Sequence, residues 1–471
     1  MNFLSKPTPR ELLSVRARRP DDPRVLSIGQ LRLWYLSMLL PDSSAYNLAY
    51  ASRIRGSLDE VGLEKAFDAV VGRHEALRTA ILAPGGSPIP VVLKKWSSKF
   101  THVDLRHWPE EEREAEARRL FIEESLRPFN FARDVMLRGM LARLGDQEYF
   151  LLHVAPHLAF ERGSVAILFR DMRESYERIL KGMPAALPEL KVQYSDYALC
   201  QRNHLRGERL ELLSSYWRGQ LAGAAHINLP LDYPRPAIHT SRGSRYNWVM
   251  PPGLLDVSRR LFRESGATDF RGLCAAFFVL LYCYTGQTDL SVGSPFFPRC
   301  TGIEDLIGFF VNTVVLRVDI SGDPTFREVM KRVDGVVSAA IEHSDLTFDK
   351  VVEVVSPTRD QSRTPLFQAN FRAPKTGLPI LELPGITAER AEWLDVGSGK
   401  FDLAMEIESS SGVACQVDYC IDLFKTETIE GIVSDFQLLL RGLIAQPDTP
   451  LDSVPEVIEI GLRIRRRKFS S

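Results

Sequence analysis

The stretch His153-Val-Ala-Pro-His157-Leu-Ala-Phe-Glu161-Arg-Gly-Ser164 decides how this 471-residue chain is read. The run that leads into it, Glu148-Tyr-Phe-Leu-Leu-His-Val-Ala155, predicts a strand over 148–155 from its unbroken aromatic and aliphatic content. The residues that follow have helical apolar spacing and predict a helix over 164–180, with Ser164 as its N-cap. An imidazole at a strand end, just ahead of a helix, is well placed to face a cleft. Its ordinary pKa of about 6.5 lets it take a proton near neutral pH. Glu161, four residues on, is placed to orient the loop through a charge-assisted bond to an arginine. Alone, H-x-x-x-E has both a structural and a catalytic reading. His153 has the same two, because strand alternation puts it on the face of His157 or leaves it packed inside.

Working outward, the first half predicts helices over 28–40 and 58–81, the latter from Val61, Leu63, Ala66, Phe67, Val70 and Val71. A strand over 88–94 and a charged helix over 109–126 follow. The second half repeats the alternation, with helices over 252–264, 269–285, 325–342 and 426–445. Its strands are expected over 290–294, 313–319, 367–372 and 414–421. Helices and strands that alternate in each half imply two α/β lobes. The linker is expected over 182–191, where Pro184 and Pro188 interrupt the helical pattern.

Composition narrows the class. Lys and Arg number 59 against 60 Asp and Glu, for a net charge of −1, and 45% of residues are apolar. The balance gives no electrostatic case for a nucleic-acid partner. The apolar fraction is that of a globular chain, and at about 150 residues per domain the length suggests three domains or two large ones. The first 19 residues lack the apolar core of a secretory signal. The longest apolar stretch, over 275–284, suits a buried element and is too short for a membrane span. The 6 cysteines form no CxxC pair and no zinc spacing, so buried thiols in a reducing cytoplasm are expected, with no metal site. The basic run Arg463-Ile-Arg-Arg-Arg-Lys468 reads as a solvated, mobile end.

A set of motifs gives the chain a family resemblance. Ser27-Ile-Gly-Gln-Leu-Arg-Leu-Trp34 resembles S-x-A-Q-x-R-L-W, and Arg73-His-Glu-Ala-Leu-Arg-Thr79 resembles R-H-E-x-L-R-T. Pro156-His-Leu-Ala-Phe-Glu-Arg162 occupies the place of H-H-x-x-x-D-G, and Tyr194-Ser-Asp-Tyr-Ala-Leu-Cys-Gln201 that of Y-x-D-[FY]-A-x-W-Q. Ile307-Gly-Phe-Phe-Val-Asn-Thr313 is similar to I-G-x-F-V-N-T, and His343-Ser-Asp-Leu-Thr-Phe-Asp-Lys350 to H-x-x-x-P-F-E-x. Arg359-Asp-Gln-Ser-Arg-Thr-Pro-Leu-Phe-Gln368 matches R-D-x-S-R-x-P-L-F-Q. In this order, the motifs resemble those of the condensation domains of nonribosomal peptide synthetases, from about Leu26 to Leu451.

The resemblance implies an α/β pseudodimer of two chloramphenicol-acetyltransferase-like lobes, with a substrate tunnel between them. The lobes are expected over 1–186, carrying the active-site His, and 187–471, carrying a latch segment near Asp402 and the basic tail. It further implies a cytoplasmic, monomeric acyltransferase without a bound cofactor. An acyl or peptidyl carrier protein would present the donor as a thioester on its 4′-phosphopantetheine arm. A carrier-bound or free amine or alcohol acceptor would attack it. Neither nucleic acid nor membrane takes part. Having no adenylation or carrier sequence beside it, the chain reads either as a stand-alone condensation enzyme or as a domain excised from a longer protein. His157, matching the second motif His, is the implied catalytic residue. Pro156, Glu161, Arg162, Gly163 and Arg299 support the motif, with Glu161 expected to pair with Arg299. His153, Asn312 and Ser362 are candidates to line the tunnel.

This chain departs from the motif at Pro156, Glu161 and Arg162. Pro156 is read as shaping the strand exit. For Arg162 three readings stay open: it faces solvent with Gly163 as the flexible position, it binds a carboxylate on an unusual acceptor, or it plugs the tunnel. The alternative function is a domain without bond-forming activity that recruits a tailoring enzyme or a carrier, as the family's members that recruit cytochrome P450 enzymes do. Cyclisation or dehydration of a tethered chain is a further possibility. The cyclising branch, however, carries a second Asp that is not seen here.

Overall fold

The computed structural model describes residues 13–297, 300–358, 360–397, 399–409 and 414–468. The strand Glu148–Pro156 organises the first of two compact units. Successive side chains of a strand point to opposite faces, and this strand buries both. Tyr149, Leu151 and Ala155 enter one apolar cluster, and Phe150, Leu152 and Val154 enter another. The first cluster is closed by the helices Glu60–Arg73 and Arg162–Leu180, through Leu63, Phe67 and Val70 on one and Val165, Leu168, Phe169 and Met172 on the other. Glu148–Pro156 pairs antiparallel with Asn47–Gly56 on one side and Arg138–Arg143 on the other. Phe100–Asp104 adds a parallel edge. At the other edge, Ile386–Ala388 and Glu392–Trp393 pair with Asn47–Gly56.

The second unit has its own sheet, in the order Asn312–Asp319, Asp289–Phe296, Ala369–Arg372, Leu403–Ile407, Ala414–Cys420, Gly243–Val249. Its apolar heart is the helix Asp269–Thr285, capped by the Thr268 side chain and ended by Gly286 in the left-handed conformation. The apolar stretch 275–284 lies inside that helix. Among the described residues no single helix is long and apolar enough to cross a membrane.

Where the sequence reading places one boundary at 186/187, the first unit runs on to Arg209 and also takes residues 297–311 and 378–396. The reason is local anchoring. The expected linker is tied down by Arg178 on the Pro184 carbonyl, Ser175 on that of Ala185 and Arg73 on that of Pro188. The helix Tyr194–His204 then packs through Tyr194, Tyr197 and Ala198 against Ala76, Leu306 and Phe310. The basic C-terminal run, expected to be mobile, belongs instead to a helix, Pro455–Lys468. Val457, Ile460 and Ile464 are buried along it, and Arg463 reaches the buried Asp435.

Candidate functional site

His157 sits one residue past the strand Glu148–Pro156, on a turn closed by the Ala159 N–H donating to the Pro156 carbonyl at 2.9 Å. Pro156 ends the strand opposite Asn47 and has no N–H to continue the ladder. The backbone N–H of His157 is held by the Tyr46 carbonyl at 2.7 Å. Its ring Nδ1 lies 2.9 Å from the Phe160 carbonyl oxygen. A carbonyl only accepts, so Nδ1 carries the proton in this contact, and Nε2 is the nitrogen that holds the lone pair when the ring is neutral. The ring is partly buried and meets the Phe309 ring at 4.6 Å between centroids, tilted by 58°.

Glu161 is buried and faces inward. Its Oε2 accepts the N–H groups of Phe310 at 2.9 Å and Val311 at 2.7 Å. Burial pushes its carboxyl up to about 8, against the two N–H donors that favour the ionised form. Its expected partner Arg299 lies outside the described residues, and so does that ion pair. Arg162 and Gly163 open the helix Arg162–Leu180, two residues earlier than the Ser164 start read from sequence. Arg162 is partly buried and Gly163 exposed. The N–H groups of a helix's first turn have no intrahelical acceptor and form its positive end. No acidic residue occupies this first turn, and Arg162 sets a cation there against the usual preference. Gly163 has ordinary helical geometry, and a Cβ there would meet only Phe297 at 3.5 Å and a Glu161 oxygen at 3.7 Å. It stands inside the helix, in a conformation that does not require glycine.

Motifs far apart in sequence meet on one backbone segment, 307–311. His74 Nδ1 accepts the Ile307 N–H at 3.3 Å, while its Nε2–H donates to Asp171 at 2.8 Å. Arg73 reaches the same Asp171 oxygen at 2.7 Å. Burial holds the His74 imidazole below its ordinary range even with Asp171 beside it. Burial also opposes ionisation of Asp171, but His74 and Arg73 outweigh it and hold the carboxyl low. Ser164 Oγ lies 3.3 Å from both the N–H and the carbonyl of Gly308. The Tyr194 hydroxyl donates to the Phe309 carbonyl at 2.6 Å and lies 2.9 Å from Ser27 Oγ. Glu161 completes the clasp at Phe310 and Val311. A side chain at position 308 would collide with the Tyr194 ring, which accounts for the glycine. Sequence reasoning missed Ser164 and Tyr194 as holders of this segment and Asp171 as the anchor of His74. They act across 97 to 144 residues, where local pattern carries no signal.

All three tunnel-lining candidates have other surroundings or engagements. His153 is 1% exposed, and its two ring nitrogens have no hydrogen-bond partner. It lies between Phe67 at 6.3 Å and Phe169 at 5.6 Å, and burial pushes its imidazole down to about 3. It is a neutral core residue, because alternation puts it on the Leu151 and Ala155 face that the two helices cover. Asn312 spends its amide on its own unit, donating to the carbonyls of Ser344 and Leu346 at 2.8 Å each and accepting the Phe348 N–H at 3.0 Å. It clamps the turn before the helix Phe348–Val355. Ser362 is partly buried, its hydroxyl donates to Asp360 at 2.6 Å, and its carbonyl accepts from Arg235, which also pairs with Asp402.

The chain matches the Condensation domain family over residues 22–458. One of the linear gramicidin synthase proteins of Brevibacillus parabrevis is 37% identical over 441 residues, 93% of this chain and 6% of the relative. A second protein of the same synthase is 39% identical over 434 residues, 91% of this chain and 8% of the relative. The chain thus spans a small fraction of these relatives. Among solved structures, the X-domain from teicoplanin biosynthesis superposes with a TM-score of 0.84 at 27% identity, covering 94% of this chain and 99% of that one. The complex of the X-domain and OxyB from teicoplanin biosynthesis gives a TM-score of 0.83 at 26% identity, over 95% and 99% of the two chains.

Proposed function

The chain belongs to the condensation-domain family, and from that premise we propose that it joins a carrier-bound acyl thioester to an amine or alcohol acceptor. One observation carries the reading: His157 survives in a changed motif with Nδ1–H spent on the Phe160 carbonyl and its lone pair on Nε2. The acceptor nitrogen or oxygen attacks the thioester carbonyl carbon, and Nε2 takes the proton that the acceptor gives up. When the tetrahedral adduct collapses, a C–N or C–O bond remains and the C–S bond breaks. The imidazolium then returns its proton to the departing phosphopantetheine thiolate. A thioester is already activated, so no nucleophilic Ser or Cys is needed. The positive start of the helix Arg162–Leu180, with the Gly163 N–H in its first turn, suits the developing oxyanion. The donor is taken from an acyl or peptidyl carrier, in nonribosomal peptide or hybrid polyketide assembly.

Purified protein, a donor carrier loaded through its phosphopantetheine arm and a panel of amine, alcohol and carboxylate-bearing acceptors provide the test, read by intact mass. Release of acyl groups onto an acceptor supports the reading, and no product with any acceptor counts against it.

The X-domain likeness favours a second reading, recruitment of a tailoring enzyme or a carrier without bond formation. A stable complex with such a partner, together with no turnover, would support it. Arg162→Gly separates the two. Turnover gained by an inactive protein marks Arg162 as a plug, and loss confined to carboxylate-bearing acceptors marks it as their clamp.

A further inference from the structure

Gln30 is buried in the first turn of the helix Ile28–Leu39, and its side-chain amide is used at both ends. Its Oε1 accepts the Ser27 N–H at 3.1 Å, while its backbone N–H donates to Ser27 Oγ at 3.1 Å, which closes a capping box. Its Nε2–H donates to the Leu158 carbonyl at 3.1 Å, across 128 residues of sequence. The cap is itself anchored. Gln201 Oε1 accepts the Ile28 N–H at 3.0 Å, Arg202 Nε donates to the Leu26 carbonyl at 2.6 Å, and the Tyr194 hydroxyl lies 2.9 Å from Ser27 Oγ. A glutamate would close a capping box as well as a glutamine does. Only the amide also offers a donor, and here that donor is spent on the turn that carries His157. The peptide unit between Leu158 and Ala159 is thus gripped on both edges, its carbonyl by Gln30 and its N–H by the Pro156 carbonyl at 2.9 Å. The Leu158 side chain packs in one apolar cluster with Leu26, Leu33 and Trp34.

We infer that Gln30 is a positioning residue for His157, acting on the backbone of its turn through the Leu158 carbonyl. The contacts of the imidazole act on the ring, whereas Gln30 acts on the chain from which the ring is hung. This inference rests on the reading of His157 as the proton acceptor. Without the amide donor, the buried Leu158 residue loses this carbonyl partner, and the peptide unit beside His157 turns to find another. A reacting group displaced by about 1 Å can lose about a hundredfold in rate.

The test uses the full chain with a loaded donor carrier, and two substitutions divide the two ends of the amide. Gln30→Met keeps the length of the side chain and removes both bonds. Gln30→Glu keeps the acceptor for the Ser27 N–H and removes the donor to Leu158. In both, kcat per folded molecule is expected to fall about ten- to a hundredfold, with KM for donor and acceptor within about threefold of wild type. Once protonated, the new carboxyl of Gln30→Glu donates again, so the ratio of its kcat to that of wild type should fall as pH rises. The titration of His157 cancels in that ratio. Amide exchange gives a readout without turnover. The Ala159 and His157 N–H groups, which bond to the Pro156 and Tyr46 carbonyls, should exchange about tenfold faster in both variants. In Gln30→Glu the amides of the helix Ile28–Leu39 should exchange as in wild type. If kcat stays within twofold in both variants while His157→Ala is inactive, the positioning role is wrong and the catalytic reading stands. If Gln30→Glu matches wild type at every pH while Gln30→Met is slow, the helix cap carries the effect and the role given to the Leu158 carbonyl is wrong. If His157→Ala turns over like wild type, the catalytic reading falls and the positioning role falls with it.

Discussion

One strand and the turn that leaves it each hold a histidine, and the two differ in every respect that matters for chemistry. His153, within the strand Glu148–Pro156, is packed between Phe67 and Phe169 with both ring nitrogens unpaired, and its imidazole is held down to about 3. His157, four residues on, has left the ladder, has Nδ1 fixed by a carbonyl and meets an aromatic ring that is itself braced. The lesson is that proximity to a motif says little about a histidine. What distinguishes the two is whether the backbone has turned out of the sheet and brought a carbonyl to the ring.

The largest effect expected on stability comes from Glu161, which clasps the segment beside the second histidine. Glu161→Ala strands the N–H groups of Phe310 and Val311 in the interior and should cost about 2–4 kcal/mol in urea unfolding. Glu161→Gln keeps an acceptor oxygen there and should cost less. If the two variants unfold alike, the clasp is not what holds the segment.

The opposite sign is expected for the first histidine. His153→Leu exchanges two unpaired nitrogens for apolar atoms of similar volume and should stabilise by about 1–2 kcal/mol, with turnover unchanged. Lost turnover would break the comparison, because it would give His153 a functional role.

The pH dependence sharpens the contrast. The His153 imidazole is depressed from 6.5 to about 3, so the unfolded chain binds that proton more readily. Its stabilising share is present above pH 6.5 and is lost as pH falls toward 3. The Glu161 carboxyl is raised from 4.5 to about 8, so its share is present below pH 4.5 and is lost as pH rises toward 8. Each slope is at most about 1.4 kcal/mol per pH unit, and the two oppose each other between 4.5 and 6.5. Unfolding followed across this range should therefore show the stability maximum moving to lower pH in His153→Leu and to higher pH in Glu161→Gln.

Much of the fold was legible where hydrophobic period and end signals agree. The helices Asp269–Thr285 and Thr426–Ala445 match their expected limits. The strand Asn47–Gly56, central to the first sheet, was missed because its alanines, serine and arginines dilute the apolar pattern. The helix expected over 58–81 stops at Arg73, one residue past Gly72, where His74 turns away to Asp171 and Ile307. The helix Pro455–Lys468 had a signal, Val457, Ile460 and Ile464 at helical spacing, which the run of charges overshadowed. At the site, His157 and Glu161 could be singled out from sequence. The Phe160 carbonyl and the Phe309 ring could not, because backbone groups and distant side chains leave no mark on a local motif.

The most direct measurement is single-turnover acyl transfer from one loaded donor carrier, with wild type and His157→Ala compared at equal folded fraction. The account predicts that the substitution slows product formation by about a hundredfold or more while carrier binding persists. Equal rates in the two proteins would contradict it.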